Sequence, residues 1–397
     1  LGFVTAAGTK SDVRQGVRQR LPGLLSLALA SCLAVTTEML PVGLLPSIGN
    51  AFGVAASTTG LVVSLYAVMV AALSVPLTLA TTRFARKPLL QTTLLCYGLS
   101  NTIVAVAPTF AVLVAGRTLG GITHALFFSL CIGYVPRLVH SAEVGLALAV
   151  ATGGASAGFV LGVPLSTSLG TALGWRTPFA ALAAVAMLTM LLVARLLPAV
   201  TSTQLPQPSE NTSRRRELAA VVTSNALVYL GQFTLYTFIS VLLLQSGAGP
   251  ASIGPILLVC GGCGLVGLWF AGSMMDRRPR RTIMIVLSIV IAAVALIGIA
   301  IPALVPVVIA AAVWNGAFGG VPSIYQTCAV RALADSPELA GAWLNAASNV
   351  GIAGGSALGA ALLPAIGLSW LPWVAVALIT IGLSLSMLAR QAFPSRP

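Results

Sequence analysis

Charge is scarce in this chain: charged residues make up 7% of it, against 57% hydrophobic residues. That balance excludes the mixed, charged surface of an ordinary soluble domain. Acids are scarcer still, eight in all, and histidine is limited to His124 and His140, too few to form a histidine-based metal cluster. The phosphate-cradling Gly-x-x-x-x-Gly-Lys-Ser/Thr loop of an ATP-driven machine is missing. The six cysteines all fall in apolar stretches, where cysteine acts as a small hydrophobe. Cys260-Gly261-Gly262-Cys263 has redox or metal-like spacing but lacks a companion pair, so it reads as helix packing. Gly154-Ala155-Ser156-Ala157-Gly158 matches a hydrolase's Gly-x-Ser-x-Gly, yet it lies inside a long apolar run and not at a strand-to-helix turn.

What fills the chain is apolar sequence, with a mean hydropathy of +1.00. Stretches long enough to cross a bilayer, about 20 residues each, fall near 21–47, 57–82, 88–107, 110–136, 143–172, 176–198, 217–246, 250–275, 281–301, 304–332, 338–365 and 368–390. Twelve spans imply an all-α polytopic membrane protein. The net charge of +13 comes from basic residues scattered between these spans, which is membrane topology and calls for no nucleic-acid partner. With the N-terminus inside, the inner connections hold Arg83, Arg86, Lys87, Arg214, Arg215, Arg216, Arg277, Arg278, Arg280 and Arg281 among others, whereas the outer loops carry only Arg176. Both termini are therefore expected on the cytoplasmic side. The first apolar run is longer than a signal peptide's core and reads as a retained helix.

One polar, proline-rich connection lies at the midpoint and divides six spans from six. The expected organisation is a cytoplasmic tail at 1–20, a six-helix bundle at 21–198, a linker at 199–216, a second bundle at 217–390 and a tail at 391–397. The halves echo each other, since Gly154, Gly158 and Gly162 in the fifth span recur as Gly351, Gly355 and Gly359 in the eleventh. Glycine at every fourth position lets helices pack closely, and two similar halves are a transporter arrangement with the site between them. The inner loops are too short for a sensor's output domain.

Glu38 is the only acid inside an apolar run. A carboxylate at the centre of a span costs roughly 2.5–3.5 kcal/mol on insertion scales. It therefore needs a partner, water or a proton, unless it snorkels to the headgroups. Arg117 lies roughly 10 Å into the fourth span and Glu38 roughly 13 Å into the first, counted from the same membrane face at the helical rise. An arginine cannot shed its charge there, so the two are expected to meet. His124 shares the face of Arg117, seven residues on, and suits either a proton relay or a buried structural role.

Several stretches resemble the major facilitator superfamily, in particular its twelve-helix drug:proton antiporter branch with bacterial sugar-efflux and chloramphenicol-resistance-like exporters. Thr36-Thr37-Glu38-Met39-Leu40-Pro41-Val42-Gly43-Leu44-Leu45-Pro46 is similar to that branch's first-helix signature. Gly272-Ser273-Met274-Met275-Asp276-Arg277-Arg278-Pro279-Arg280-Arg281 resembles the Gly-x-x-x-Asp-Arg-x-Gly-Arg-Arg loop, with Pro279 for the second glycine. The matching loop after the second span has Thr82 where the acid is expected. Gly116-Arg117-Thr118-Leu119-Gly120-Gly121 looks like the fourth-helix Arg-x-x-x-Gly motif. Gly158-Phe159-Val160-Leu161-Gly162-Val163-Pro164 resembles the motif that separates exporters from importers, and Asn345 to Gly359 is similar to the same branch.

The resemblance implies the major facilitator fold and a bacterial inner-membrane exporter. Such a protein would exchange a small amphipathic molecule for protons by alternating access, as a monomer in the bilayer and without a cofactor. Glu38, Arg117 and His124 are the expected proton-coupling residues. Gly158, Gly162, Pro164, Asp276, Arg277, Arg280 and Arg281 are the expected gating residues. Polar and aromatic residues at helical spacing suggest the substrate site: Asn225, Tyr229, Gln232 and Tyr236 in the seventh span, and Asn315, Phe318, Tyr325 and Gln326 in the tenth. An importer or facilitator of a small metabolite with the same fold is the alternative, and a membrane enzyme or sensor a more distant one.

Overall fold

Long uninterrupted apolar runs with few competing turn residues fold here as helices. The computed structural model describes residues 16–81, 83–140, 143–200, 212–275, 279–332 and 337–393. The first four spans are α1 (Val17–Phe52), α2 (Ala56–Ala80), α3 (Arg86–Ala105) and α4 (Phe110–Tyr134). The fifth is split into α5 (Val144–Ala157) and α6 (Val163–Leu173) by a π-helical turn at Gly158–Gly162, and α7 (Arg176–Leu196) is the sixth. The seventh span joins α8 (Thr212–Tyr236) to α9 (Ile239–Gln245), and α10 (Ile253–Met275) and α11 (Pro279–Ala300) follow. The tenth joins α12 (Leu304–Phe318) to α13 (Val321–Ala332), and α14 (Pro337–Ile366) and α15 (Leu371–Leu388) complete the chain.

Among the described residues, eleven helical stretches are long and apolar enough to cross a membrane. The remaining span, α3, is 20 residues long but holds several polar residues, of which Thr93, Ser100 and Asn101 are buried against protein. Those three side chains thus point away from lipid. At 36 residues, α1 measures roughly 54 Å at the helical rise, so it projects beyond the hydrocarbon core.

Buried apolar side chains gather in two clusters. One is built wholly from Val17 to Val200. The other runs from Val221 to Phe393 and takes in Met39, Val42, Leu45, Val63, Ala67 and Val163 from the first. The joint between the two sets lies where α2 runs along α14 and α6 along α10.

Backbone close approach explains the glycine echo. A Cβ at Gly154 would stand 1.8 Å from the Ala28 carbonyl oxygen, one at Gly158 2.6 Å from that of Cys32, and one at Gly162 2.0 Å from Thr36 Oγ1. The stripe in the fifth span therefore seats α1 directly on its backbone. In the second half, Gly351, Gly355 and Gly359 meet Ala226, Leu230 and Thr234 of α8 in the same way, at 2.4–2.5 Å from their carbonyl oxygens. Glycine-rich α10 is also packing surface: Gly261 faces Val160, and Gly267 faces the Gly316 carbonyl. Cys260 and Cys263 are free thiols there.

Further pairings repeat across the halves. Lys87, at the start of α3, donates to the Ala194 and Leu197 carbonyls at the end of α7, at 2.7 and 2.6 Å. Arg280, at the start of α11, likewise donates to the Met387 carbonyl at the end of α15, at 2.7 Å. Cations are well placed at helix C-termini, where carbonyls lack helical partners. Positive-φ glycines end the first, fifth, seventh and eleventh spans, at Gly53, Gly174, Gly247 and Gly367.

The glycine stripe gives a direct test. Gly154→Ala should lower the melting temperature in detergent, corresponding to about 1–3 kcal/mol of overpacking. Gly153→Ala, where a Cβ would meet nothing within 4 Å, should leave it unchanged or raise it through the helix preference for alanine, about 0.5–1 kcal/mol. Equal melting temperatures for the two variants would contradict the backbone contact.

Candidate functional site

The site begins with two prolines. Pro41 and Pro46 lie inside α1, and a proline has no N–H to give the carbonyl four residues earlier. Those carbonyls belong to Thr37 and Val42. Both are buried and would be costly to leave unbonded. Arg117 of α4 takes the first: its guanidinium donates to the Thr37 carbonyl at 2.5 Å and to the Glu38 carbonyl at 2.9 Å. Ser240 of α9 takes the second, its hydroxyl donating to the Val42 carbonyl at 2.8 Å.

Glu38 and Arg117 do meet, but not as a side-chain ion pair. The guanidinium is held on the backbone of α1 and lies 4.2 Å above the Tyr66 ring, a cation–π contact. The Glu38 carboxylate is left to His124, whose Nε2 is 3.7 Å from Oε2. The other oxygen, Oε1, has no hydrogen-bond partner among the described residues. His124 Nδ1 is 3.0 Å from the Tyr66 hydroxyl, and Tyr97 and Phe128 close around the ring. Asn101 of α3 donates to Thr37 Oγ1 at 3.1 Å and so ties a third helix to this turn.

Across the joint, α8 supplies an aromatic wall. Tyr229 stacks on Phe233 and meets Phe318 edge-on, with ring centroids 6.2 and 5.4 Å apart. Tyr236 stacks on Phe159 of the fifth span at 5.7 Å and meets Trp314 edge-on at 5.8 Å. Trp314 donates its indole N–H to Gln232 Oε1 at 2.6 Å, and the amide N–H groups of Gln232 have no hydrogen-bond partner among the described residues. Asn225 donates to Ser348 Oγ at 2.8 Å. Met39, next to Glu38 in α1, shares one buried cluster with Phe233, Tyr236 and Phe318, and Tyr229 packs against it.

The eight residues expected to line a substrate site therefore divide. Tyr229, Gln232, Tyr236 and Phe318 fall in the aromatic group, and Asn225 lies beside it. Asn315 is spent on its own helix, donating to the Ala311 carbonyl. The tenth span breaks at Gly319 and Gly320 between α12 and α13, and beyond that break the expected common face is lost. Tyr325 is sealed among Ser224, Phe393 and their neighbours, whereas Gln326 is exposed.

Of the expected gating residues, Gly158 and Gly162 flank the π-helical turn, with Pro164 just after it. Pro164 cannot donate to the Val160 carbonyl, and π-turns of this kind mark local irregularity in a helix. Arg280 caps α15 within its own half, and Arg281 is exposed. Asp276 and Arg277 lie outside the described residues.

Sequence reading passed over Tyr66, Tyr97, Asn101, Phe159 and Trp314. Asn101 and the two tyrosines carried a signal in hindsight, as polar groups inside apolar spans whose cost points to a partner. Phe159 and Trp314 carried none, because aromatics are common in any span.

Comparison with known proteins bears on the fold and class. The Major Facilitator Superfamily matches residues 27–356. A probable sugar efflux transporter of Mannheimia succiniciproducens is 29% identical over 371 residues, which cover 89% of this chain and 90% of that protein. A bacterial homologue of the human lysosomal transporter Spinster, solved inward-facing and unoccupied, superposes with a TM-score of 0.72 at 15% identity, covering 96% of this chain and 99% of that one. The D-xylose-proton symporter does so with a TM-score of 0.74 at 15% identity, covering 94% and 98%.

The proline-freed carbonyl predicts a double-mutant cycle. Arg117→Leu should destabilise the protein by about 1–3 kcal/mol, because the Thr37 carbonyl is left buried and unbonded. Adding Pro41→Ala restores an N–H for that carbonyl and should recover part of the loss, giving a coupling of at least about 0.5 kcal/mol by thermal melting. Strict additivity would show that the carbonyl is not what Arg117 satisfies.

Proposed function

Because the chain belongs to the major facilitator superfamily and is a multi-pass membrane transporter rather than an enzyme, we propose that it exports a small amphipathic, sugar-like molecule in exchange for protons. In this reading two six-helix bundles, residues 21–198 and 217–390, rock about the α2–α14 and α6–α10 contacts. The protein sits in the bacterial inner membrane with both termini in the cytoplasm and acts as a monomer. Sugar-like export is supported by the relative described as a probable sugar efflux transporter and by the fifth-span motif around Pro164.

The observation that carries proton coupling is the state of Glu38. It is the one acid in an apolar run, it is buried, and it has no salt bridge to Arg117, whose Nη1 and Nη2 donate to the α1 backbone. A carboxylate placed so can hold a proton when the site is sealed and release it when water enters. Beside it, the π-faces and edges of Tyr229, Tyr236 and Phe318 suit the apolar face of a ring. The amide N–H groups of Gln232 suit a hydroxyl or carbonyl oxygen.

Inside-out vesicles carrying the protein test this. A panel of sugars, phenicols and lipophilic cations is added while lumenal pH is followed. The expected result is that one class dissipates a preformed proton gradient, and that Glu38→Gln reduces this exchange to background without reducing the amount of folded protein. Substrate flux indifferent to the gradient in both proteins would make the chain a facilitator.

A further inference from the structure

Tyr66 stands between the two charged elements of the site and has no role in the exchange reading above. Its ring is the surface under Arg117, and its hydroxyl faces His124 Nδ1 at 3.0 Å. The opposite nitrogen, Nε2, faces Glu38 Oε2 at 3.7 Å. Each side of the imidazole thus meets one oxygen.

The two oxygens are not equivalent. An ionised carboxylate only accepts hydrogen bonds, whereas a phenol can donate or accept. The groups that meet the imidazole are Glu38 from α1, Tyr66 from α2, Tyr97 from α3 and Phe128 from its own helix, with the Arg117 guanidinium lying over the Tyr66 ring. An additional buried charge is costly in so apolar a site, which already holds Arg117. A neutral imidazole has one N–H. With Glu38 ionised, as at alkaline pH, an N–H on Nδ1 would turn the Nε2 lone pair towards the carboxylate and two acceptors would oppose each other. If the N–H sits on Nε2, the Tyr66 hydroxyl donates to Nδ1 at 3.0 Å and the Nε2–H end of the ring faces the carboxylate across 3.7 Å, an electrostatic contact longer than a hydrogen bond.

We infer that Tyr66 is a positioning residue of the coupling site, whose hydroxyl holds His124 as the Nε2–H tautomer facing Glu38 while its ring keeps Arg117 on the backbone of α1. The tautomer follows from geometry and hydrogen-bond chemistry. Its effect on coupling rests on the proton-exchange reading.

The chain's two histidines make the test direct. His140 is exposed and remote from the site, so His140→Gln leaves a single imidazole. Isotope-labelled imidazole nitrogens in that protein, read by NMR at alkaline pH, report which nitrogen carries the proton. The expected result is Nε2–H, with a roughly five- to tenfold change in the tautomer ratio in Tyr66→Phe, the equivalent of one neutral hydrogen bond. Tyr66→Phe keeps the ring beneath Arg117, and its melting temperature should stay close to that of the parent. In the vesicle assay, the pH midpoint of exchange in Tyr66→Phe should move by roughly half to one pH unit.

An Nδ1–H or doubly protonated imidazole in the parent, a tautomer ratio unchanged in Tyr66→Phe, or an unmoved pH midpoint would each overturn the inference. Retained proton exchange in Glu38→Gln would instead overturn the exchange reading and leave the tautomer result standing.

Discussion

The fork of Arg117 on two backbone carbonyls of α1 is the contact on which the site depends. Pro41 leaves the Thr37 carbonyl without its helical N–H, and a buried carbonyl must bond to something. By filling that vacancy the guanidinium fixes α4 against α1 and spends its Nη1 and Nη2 donors on neutral groups, while Nε–H has no hydrogen-bond partner among the described residues. The Glu38 carboxylate is then close to a cation but not bonded to it. A direct salt bridge would have held the carboxylate ionised. The arrangement seen leaves it, among the described residues, facing an imidazole with one oxygen and unpartnered on the other, so gain or loss of one proton changes its relation to its surroundings.

Rigidity elsewhere makes that precision possible. Glycine stripes seat α1 on the fifth span and α8 on the eleventh by backbone contact, and interiors packed to that density do not deform gradually. Lys87 and Arg280 tie the third span to the sixth and the ninth to the twelfth at their ends. The same pattern appears in each half, carried by glycines and end cations at matching places.

Much of this was legible in the chain. Span number and the glycine echo follow from period and composition, because lipid imposes simple rules on length and polarity. Glu38, Arg117 and His124 stood out since ionisable groups in apolar runs are rare. The mode of their meeting was not legible: depth counting brought Arg117 to Glu38 but could not tell carboxylate from carbonyl, although Pro41 and Pro46 already marked which carbonyls would be free. Tyr325 and Gln326 lie beyond the Gly319-Gly320 turn between α12 and α13 and, as neighbours about 100° apart on one helix, face different surroundings, one buried and one exposed.

Ser240 on the Val42 carbonyl bears on how hard the two halves hold together. This is a neutral hydroxyl on a neutral carbonyl, with a net worth of about 0.5–1.5 kcal/mol, only one to three times thermal energy. Both groups are equally content with water, so parting them exchanges one partner for another and strands no charge. An ion pair at the same place would lock. A hydroxyl on a proline-freed carbonyl behaves as a detent: it gives α1 and α9 a definite register and parts from it at little cost.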